Sequence, residues 1–356
     1  MANELNFDIS VSLKQAMQLI LANPENRYGL RGEPGIGKSS IMRLLKAALP
    51  KHHMAYMDVP SMDLGDICMP AIDHEHKVTR YYPNARFMFH TGEPVIVMLD
   101  EFSKGPDPVK NMLHPLLEAH NPRLGDVPVH KDSYIFMTGN LSTDGVGDSM
   151  KGHTLNRIIP LTVRKPTFDE WAEWAMDNGI VPEILAFARQ FPQIFASYTD
   201  PSQKENPYIY QPHRATMPCV TPRSLERASN VVRMRHMFDQ ESLIASLTGA
   251  IGEAAAKDFS AYLDYSNQLP TWQQTIANPL GALVPTSAGA CAIVVFGAIQ
   301  RVEKDTIDAF MTYLERFEPE WQAAFCINIA KSKSKQVVAF GCRKFSAWVA
   351  KNNDLL

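Results

Sequence analysis

Apolar positions along this chain follow two rhythms. Up to about residue 165, short unbroken apolar runs alternate with helical stripes, and beyond it helical stripes alone continue. Residues 9–23 carry Ile9, Val11, Leu13, Ala16, Met17 and Ile20 at roughly helical spacing, with Ser12 placed to cap the helix. Arg27–Leu30 reads as a short strand. Ile41, Leu44, Leu45 and Ala48 recur at i, i+3, i+4 and i+7, which predicts a helix from about Lys38 that Pro50 closes. Met54–Val59 reads as the next strand, and residues 95–99 are apolar throughout, as in a parallel strand covered on both faces. Asp107-Pro108 predicts the cap of a helix through Val109, Met112, Leu113, Leu116 and Leu117, within which Pro115 removes a backbone donor. Ser133–Thr138 and Ile158–Val163 are two further strands. This alternation argues a parallel α/β sheet.

After Pro166 the pattern turns helical. Phe168, Trp171, Trp174 and Ala175 share one face, and Ile184, Leu185, Ala188 and Phe191 share another. Residues 198–220 are rich in proline and polar residues and read as a loop, after which Thr221-Pro222 restarts a helix with Thr at the cap and Pro at the first turn. Helical pattern fills most of the remainder, broken near residues 266–287. The longest apolar run, Ala288–Ile299, has twelve residues. A membrane span needs about 18–20, so a buried helix is expected there.

Composition narrows the classes. Apolar residues make up 45% of 356, enough for a sizeable core, and the formal net charge of -3 gives no electrostatic reason to expect nucleic acid as a partner. Cys68, Cys219, Cys291, Cys326 and Cys342 are scattered and form no Cys-x-x-Cys, which argues free thiols in a reducing compartment. Residues 1–8 are polar and acidic, without the basic-then-apolar pattern of a secretion signal, so a cytoplasmic location is expected.

The chemistry concentrates in Gly32-Glu33-Pro34-Gly35-Ile36-Gly37-Lys38-Ser39, which reads G-x-x-x-x-G-K-S and is followed by Ser40. This is the phosphate-cradling P-loop. Small residues let the backbone wrap a phosphate chain, so that its N–H groups and the next helix N-terminus face negative charge. Lys38 should reach the β- and γ-phosphates, and the Ser39 hydroxyl should bind Mg²⁺. The apolar run at 95–99 ends in Asp100-Glu101. A carboxylate closing a buried strand is costly without a cation, so Asp100 fits the holder of Mg²⁺, and Glu101 fits the base that activates water. ATP and Mg²⁺ are the expected ligands. His74 and His76 in His74-Glu75-His76-Lys77 have no further clustered ligands in sequence and read as a solvated loop.

The order of P-loop, strand with Asp-Glu, strand with Asn, then Arg, then a helix opening Pro-Arg resembles the AAA+ ATPases, and within them the MoxR type, over residues 8–235. The resemblance implies an AAA+ αβα parallel-sheet core over residues 1–165, an all-helical lid over 166–240 and a mostly helical C-terminal extension over 241–356. It also implies that Asn140 is the sensor holding the attacking water or γ-phosphate. Arg157, with Arg164 as the alternative, would be an arginine finger acting on the neighbouring subunit. Arg223 would be a second sensor on the lid. Residues 60–92 and 121–132 lie where such proteins carry inserts facing a pore or partner. The implied assembly is a ring, most naturally a hexamer, working on a client or an adaptor, with a von Willebrand factor A domain protein as one such partner. A nucleic-acid motor and a low-turnover nucleotide-dependent scaffold are the alternatives. Aromatic residues after 240 read as core, and Lys331, Lys333 and Lys335 as a solvated basic cluster.

Overall fold

The computed structural model describes residues 9–141, 152–332, 334–352 and 354. The acidic residues 1–8, the Gly/Asp/Ser segment before Gly152 and Lys333 of the basic cluster lie outside them. The chain divides into two compact units, Met1–Lys165 and Pro166–Leu356.

The first unit is built on a six-stranded, all-parallel sheet. Its strands are β1 (Ser10–Val11), β2 (Tyr28–Arg31), β3 (His53–Asp58), β6 (Val95–Asp100), β9 (Tyr134–Gly139) and β10 (Ile159–Val163). Their spatial order is β1-β10-β2-β9-β6-β3. Alternation along β6 shows why a wholly apolar strand belongs at the centre. Ile96 and Met98 join a core under α1 (Leu13–Ala22) and α2 (Ile41–Ala48), with Ile20, Ile41 and Leu45. Val95, Val97 and Leu99 join the core on the opposite face with Val109 and Leu113 of α3 (Asp107–Leu113), and Leu155 of α4 (Gly152–Leu155) packs against it. Period-two side chains covered on both sides make the three-layer sandwich.

Several boundaries differ from the sequence reading. Val11 is not on the first helix: it pairs with Val163 in β1, and Ile9 is exposed. The helix itself starts at Leu13, with Ser12 at its cap as expected and paired reciprocally with Gln15 in a capping box. A 3₁₀ turn, Lys38–Ser40, precedes α2. Asp107 is the first helical residue, with Pro106 at the cap position and no side-chain capping bond, and the segment past α3 tightens into a 3₁₀ turn, His114–Leu117, around Pro115.

Two hairpins lie within residues 60–92 and 121–132. β4 (Cys68–Asp73) pairs with β5 (Val78–Pro83), and β7 (Arg123–Leu124) with β8 (Val127–Pro128). They dock on one another: Asp126 N donates to Tyr81 O at 2.9 Å, and Tyr81 N donates to Asp126 Oδ2 at 2.7 Å. The first hairpin leaves Met69, Ile72, Tyr81 and Tyr82 exposed. His76 sits at its turn, paired with Asp73 at 2.8 Å.

The second unit is helical. Its single core joins Trp171 and Ala175 of α5 (Phe168–Asp177), Ile184 and Phe187 of α6 (Pro182–Gln190), and Leu225 of α7 (Pro222–Arg233). The same core takes in Leu247 of α8 (Gln240–Ile251) and Phe259 of α9 (Glu253–Gln268), and α10 (Trp272–Ala277) packs on it through Trp272. It runs on through α11 (Ala288–Arg301), α12 (Ile307–Leu314) and α13 (Pro319–Lys331). The twelve-residue apolar run is the buried stretch of α11. Among the described residues no helix is long and apolar enough to cross a membrane.

Candidate nucleotide site

The phosphate loop leaves β2 at Arg31 and enters the 3₁₀ turn at Lys38. Three glycines are demanded by geometry, Gly35 by a φ of 74°. A Cβ at Gly32 would lie 2.5 Å from the Val163 carbonyl oxygen and 2.7 Å from Ile36 Cδ1, so β10 and the loop could not pack so closely with any other residue. Gly37 has φ 101°, in the left-handed region, where it turns the chain into the helix. Lys38 is buried and its ammonium donates to the carbonyls of Gly32 at 2.7 Å and Glu33 at 2.8 Å. The loop thus curls around the cation that would meet a phosphate.

Strand order brings the remaining groups to this point. β9 lies between β2 and β6, with Arg31 level with Gly139 and Leu99 level with Met137. All three strands are parallel, so their carboxyl ends open on one edge. Asn140, the residue after β9, accepts from Lys38 Nζ at 3.2 Å. Thr138, near the end of the same strand, donates its hydroxyl to Asp100 Oδ1. Ser39 Oγ lies 3.5 Å from Asp100 Oδ2, and Tyr56 of β3 donates to that oxygen at 2.7 Å. A hydroxyl and a carboxylate facing each other beside a phosphate loop are the hard oxygen ligands that suit Mg²⁺.

Glu101 follows Asp100 at φ 52°, an uncommon conformation for a residue with a side chain. Its amide donates to Thr138 Oγ1 at 3.2 Å, and its carboxylate forms an ion pair with Lys104.

The structure therefore gathers Lys38, Ser39, Asp100 and Asn140. Arg157 is held separately and exposed, with Nε donating to Glu118 Oε1 at 2.7 Å and Nη1 to the His153 carbonyl at 2.8 Å. Arg164 Nη1 donates to the Lys165 carbonyl at 3.1 Å. Arg223 belongs to the second unit, exposed in the first turn of α7, whose cap is the reciprocal Thr221–Ser224 pair. Sequence reasoning missed Thr138, Tyr56 and Lys104. Lys104 carried a weak signal, three residues after Glu101. Tyr56 and Thr138 carried none, because only strand pairing brings them to Asp100.

Residues 29–155 match the family model of the AAA domain, dynein-related subfamily. No curated protein matches the chain in sequence. Among solved structures, NtrX from Brucella abortus in complex with ATP is similar at 14% identity, over 99% of this chain and 69% of that one, with a TM-score of 0.37. The same protein with ADP gives 13%, 100%, 69% and 0.38. Hsp104 in a closed state with ATPγS and FITC casein gives 14% over 48% of this chain and 36% of that one, with a TM-score of 0.33. With the P-loop, the interposed β9 and the matched domain together, this chain carries an AAA-type ATPase domain on a parallel αβα core, followed by a helical unit.

Proposed function

We propose that the protein is a MoxR-type AAA+ motor, which hydrolyses ATP in a cytoplasmic ring to remodel or activate a partner protein. The observation that carries this reading is the insertion of β9 between β2 and β6. It sets Asn140 on Lys38 and Thr138 on Asp100, so that one site holds a cation, an amide and a carboxylate from three strands. Lys38 and the loop amides of Gly32–Ser40 bind the triphosphate. Ser39 and Asp100 would hold Mg²⁺, which when bound supplies charge neutralisation at the phosphates. Asn140 orients the attacking water, and Glu101 takes its proton as phosphate leaves ADP. Arg157 of a neighbouring protomer offsets charge developing in transfer, an effect worth ~10³–10⁵ in rate when supplied in trans. Arg223 then reports nucleotide state to the helical unit. A site that borrows a residue needs a closed ring, most simply a hexamer. The hairpin bearing Met69, Ile72, Tyr81 and Tyr82 offers the apolar surface for a client or for an adaptor such as a von Willebrand factor A domain protein.

The test compares wild type with Glu101→Gln. Wild type should hydrolyse ATP in an oligomer, and the variant should bind ATP, stay assembled and lose turnover. Equal, negligible hydrolysis by both under assembling conditions sinks the motor reading and leaves a nucleotide-dependent scaffold. Turnover stimulated by DNA and falling steeply with salt points instead to a nucleic-acid motor.

A further inference from the structure

Glu33 places an acidic side chain inside a loop whose ligand is itself an anion. Its carbonyl accepts from Lys38 at 2.8 Å, so the residue belongs to the phosphate cradle. Its carboxylate is buried, 5% exposed, and Oε2 has no hydrogen-bond partner among the described residues. The opposite charge comes from Lys165, whose Nζ lies 3.4 Å from that oxygen and whose side chain is 3% exposed. Lys165 is the last residue of the first unit. It follows β10, whose Val163 carbonyl packs against Gly32. The lysine therefore reaches the loop from the strand that closes over it.

We propose that Lys165 is a positioning residue of the nucleotide site: it neutralises Glu33 and thereby makes the loop hospitable to a triphosphate. The proposal rests on the ATP site described above. Two buried charges facing each other are tolerated because each offsets the other's desolvation, and removing one partner leaves the second uncompensated. An uncompensated carboxylate buried in this loop adds negative charge close to where the phosphates bind and opens the loop that Glu33 shapes. Its repulsion grows with ligand charge, so ATP suffers more than ADP. A lysine that merely fills space would show neither the charge ranking nor rescue by removing Glu33.

The experiment measures binding of fluorescent mant-ATP and mant-ADP to the full chain, without hydrolysis as the readout. Lys165→Met should weaken mant-ATP by about tenfold or more, a cost of ~1.4 kcal/mol per decade, and mant-ADP by clearly less. Glu33→Gln alone supplies the remaining corner of the cycle. Lys165→Met combined with Glu33→Gln should return to within about threefold of wild type, because double-variant coupling isolates the pair. If Lys165→Met is too unstable to purify, the double variant decides: soluble and competent supports the proposal, while equally unstable or unable to bind overturns it. Unchanged affinity in Lys165→Met, equal losses for both nucleotides, or no rescue overturns the proposal alone. A wild type that binds neither nucleotide overturns the ATPase reading and this proposal with it.

Discussion

Asn140 Oδ1 accepts a hydrogen bond from Lys38 Nζ at 3.2 Å, across 102 residues of sequence. The contact exists because parallel β2 and β9 are neighbours whose ends lie level, Arg31 beside Gly139. The Lys38 cation is thereby shared between two loop carbonyls and an amide from another strand. A phosphate entering the loop would exchange the carbonyls for its own oxygens while the amide stays at the edge of the reacting group.

Replacing Asn140 by Ala should therefore strike chemistry more than binding. Removal of one positioned polar group at a reacting centre costs about 10²–10³ in kcat in comparable electrostatic sites. Steady-state ATP hydrolysis should show kcat down by about 10² with KM within a few-fold. A rise in KM with kcat unchanged would show that Asn140 contributes only uniform binding.

The pH dependence of the first unit has a local source. Burial, then the charges of His153 and Arg157 with a smaller push from Lys110, hold His114 below the usual histidine value, against an opposite pull from Glu118. His114 Nε2 is 3.0 Å from Thr154 Oγ1, and its ring meets His153 edge-on at 4.7 Å. The folded state prefers the neutral ring. Its contribution to stability is full above the unfolded value of about 6.5 and is lost as pH falls below that toward the depressed folded value. Thermal midpoints of the first unit should drop between about pH 7.5 and about pH 5.5, and more shallowly in His114→Gln. Parallel slopes in the two proteins would remove His114 from the account.

Much of the site was legible in the sequence, and the physical reason is that its parts are local. Gly32–Ser39 form one loop whose glycines are set by close approach and positive φ, and Asp100-Glu101 end one apolar run. Layering was legible too, since an unbroken apolar strand such as Val95–Leu99 needs cover on both faces. The partners of Asp100 were not. Thr138 and Tyr56 meet it from β9 and β3, and no periodicity encodes which strands are neighbours. The cap of the first helix was read at Ser12, where it is, but Val11 was counted on the helical stripe because it is apolar for the sheet edge, a distinction visible only once it pairs with Val163. The hairpin of Cys68–Pro83 was read as an insert without strands, because its outward residues Met69, Ile72, Tyr81 and Tyr82 are apolar and break the polar-out alternation.

The second unit should lose stability as a whole when its centre is hollowed. Phe310 is fully buried, with ring centroids 4.9 Å from Phe325, 5.6 Å from Trp272 and 6.0 Å from Tyr313. Phe310→Ala should cost about 3–5 kcal/mol. One core joins Trp171 at one end of this unit to Phe345 at the other, so amide exchange should accelerate in α5 and α6 as well as in α12 and α13. Acceleration confined to residues 241–356 would mean instead that 166–240 folds as a lid of its own.

Arg157 supplies the sharpest test of a shared site. Its partner in its own chain is Glu118 at 2.7 Å, with both side chains more than a third exposed. Such a pair is worth only about 0.2–1 kcal/mol, so it restrains the guanidinium without committing it. A neighbour's γ-phosphate offers a far stronger partner, since charge-assisted bonds from guanidinium to phosphate are bidentate and short. Arg157→Ala should accordingly keep ATP binding and lose turnover by about 10³ or more. Lys38→Ala should lose binding itself. Mixed in equal amounts, the two inactive proteins should regain a fraction of wild-type turnover. Wherever the Lys38 of one protomer faces the Arg157 of the other, a complete site is rebuilt. Recovery on mixing, absent when the Lys38→Ala partner also carries Arg157→Ala, together with turnover retained by Arg164→Ala alone, identifies Arg157 as the finger acting between subunits. If mixing restores nothing while the two proteins co-assemble, the finger acts within its own chain or lies elsewhere, and the need for a ring falls with it.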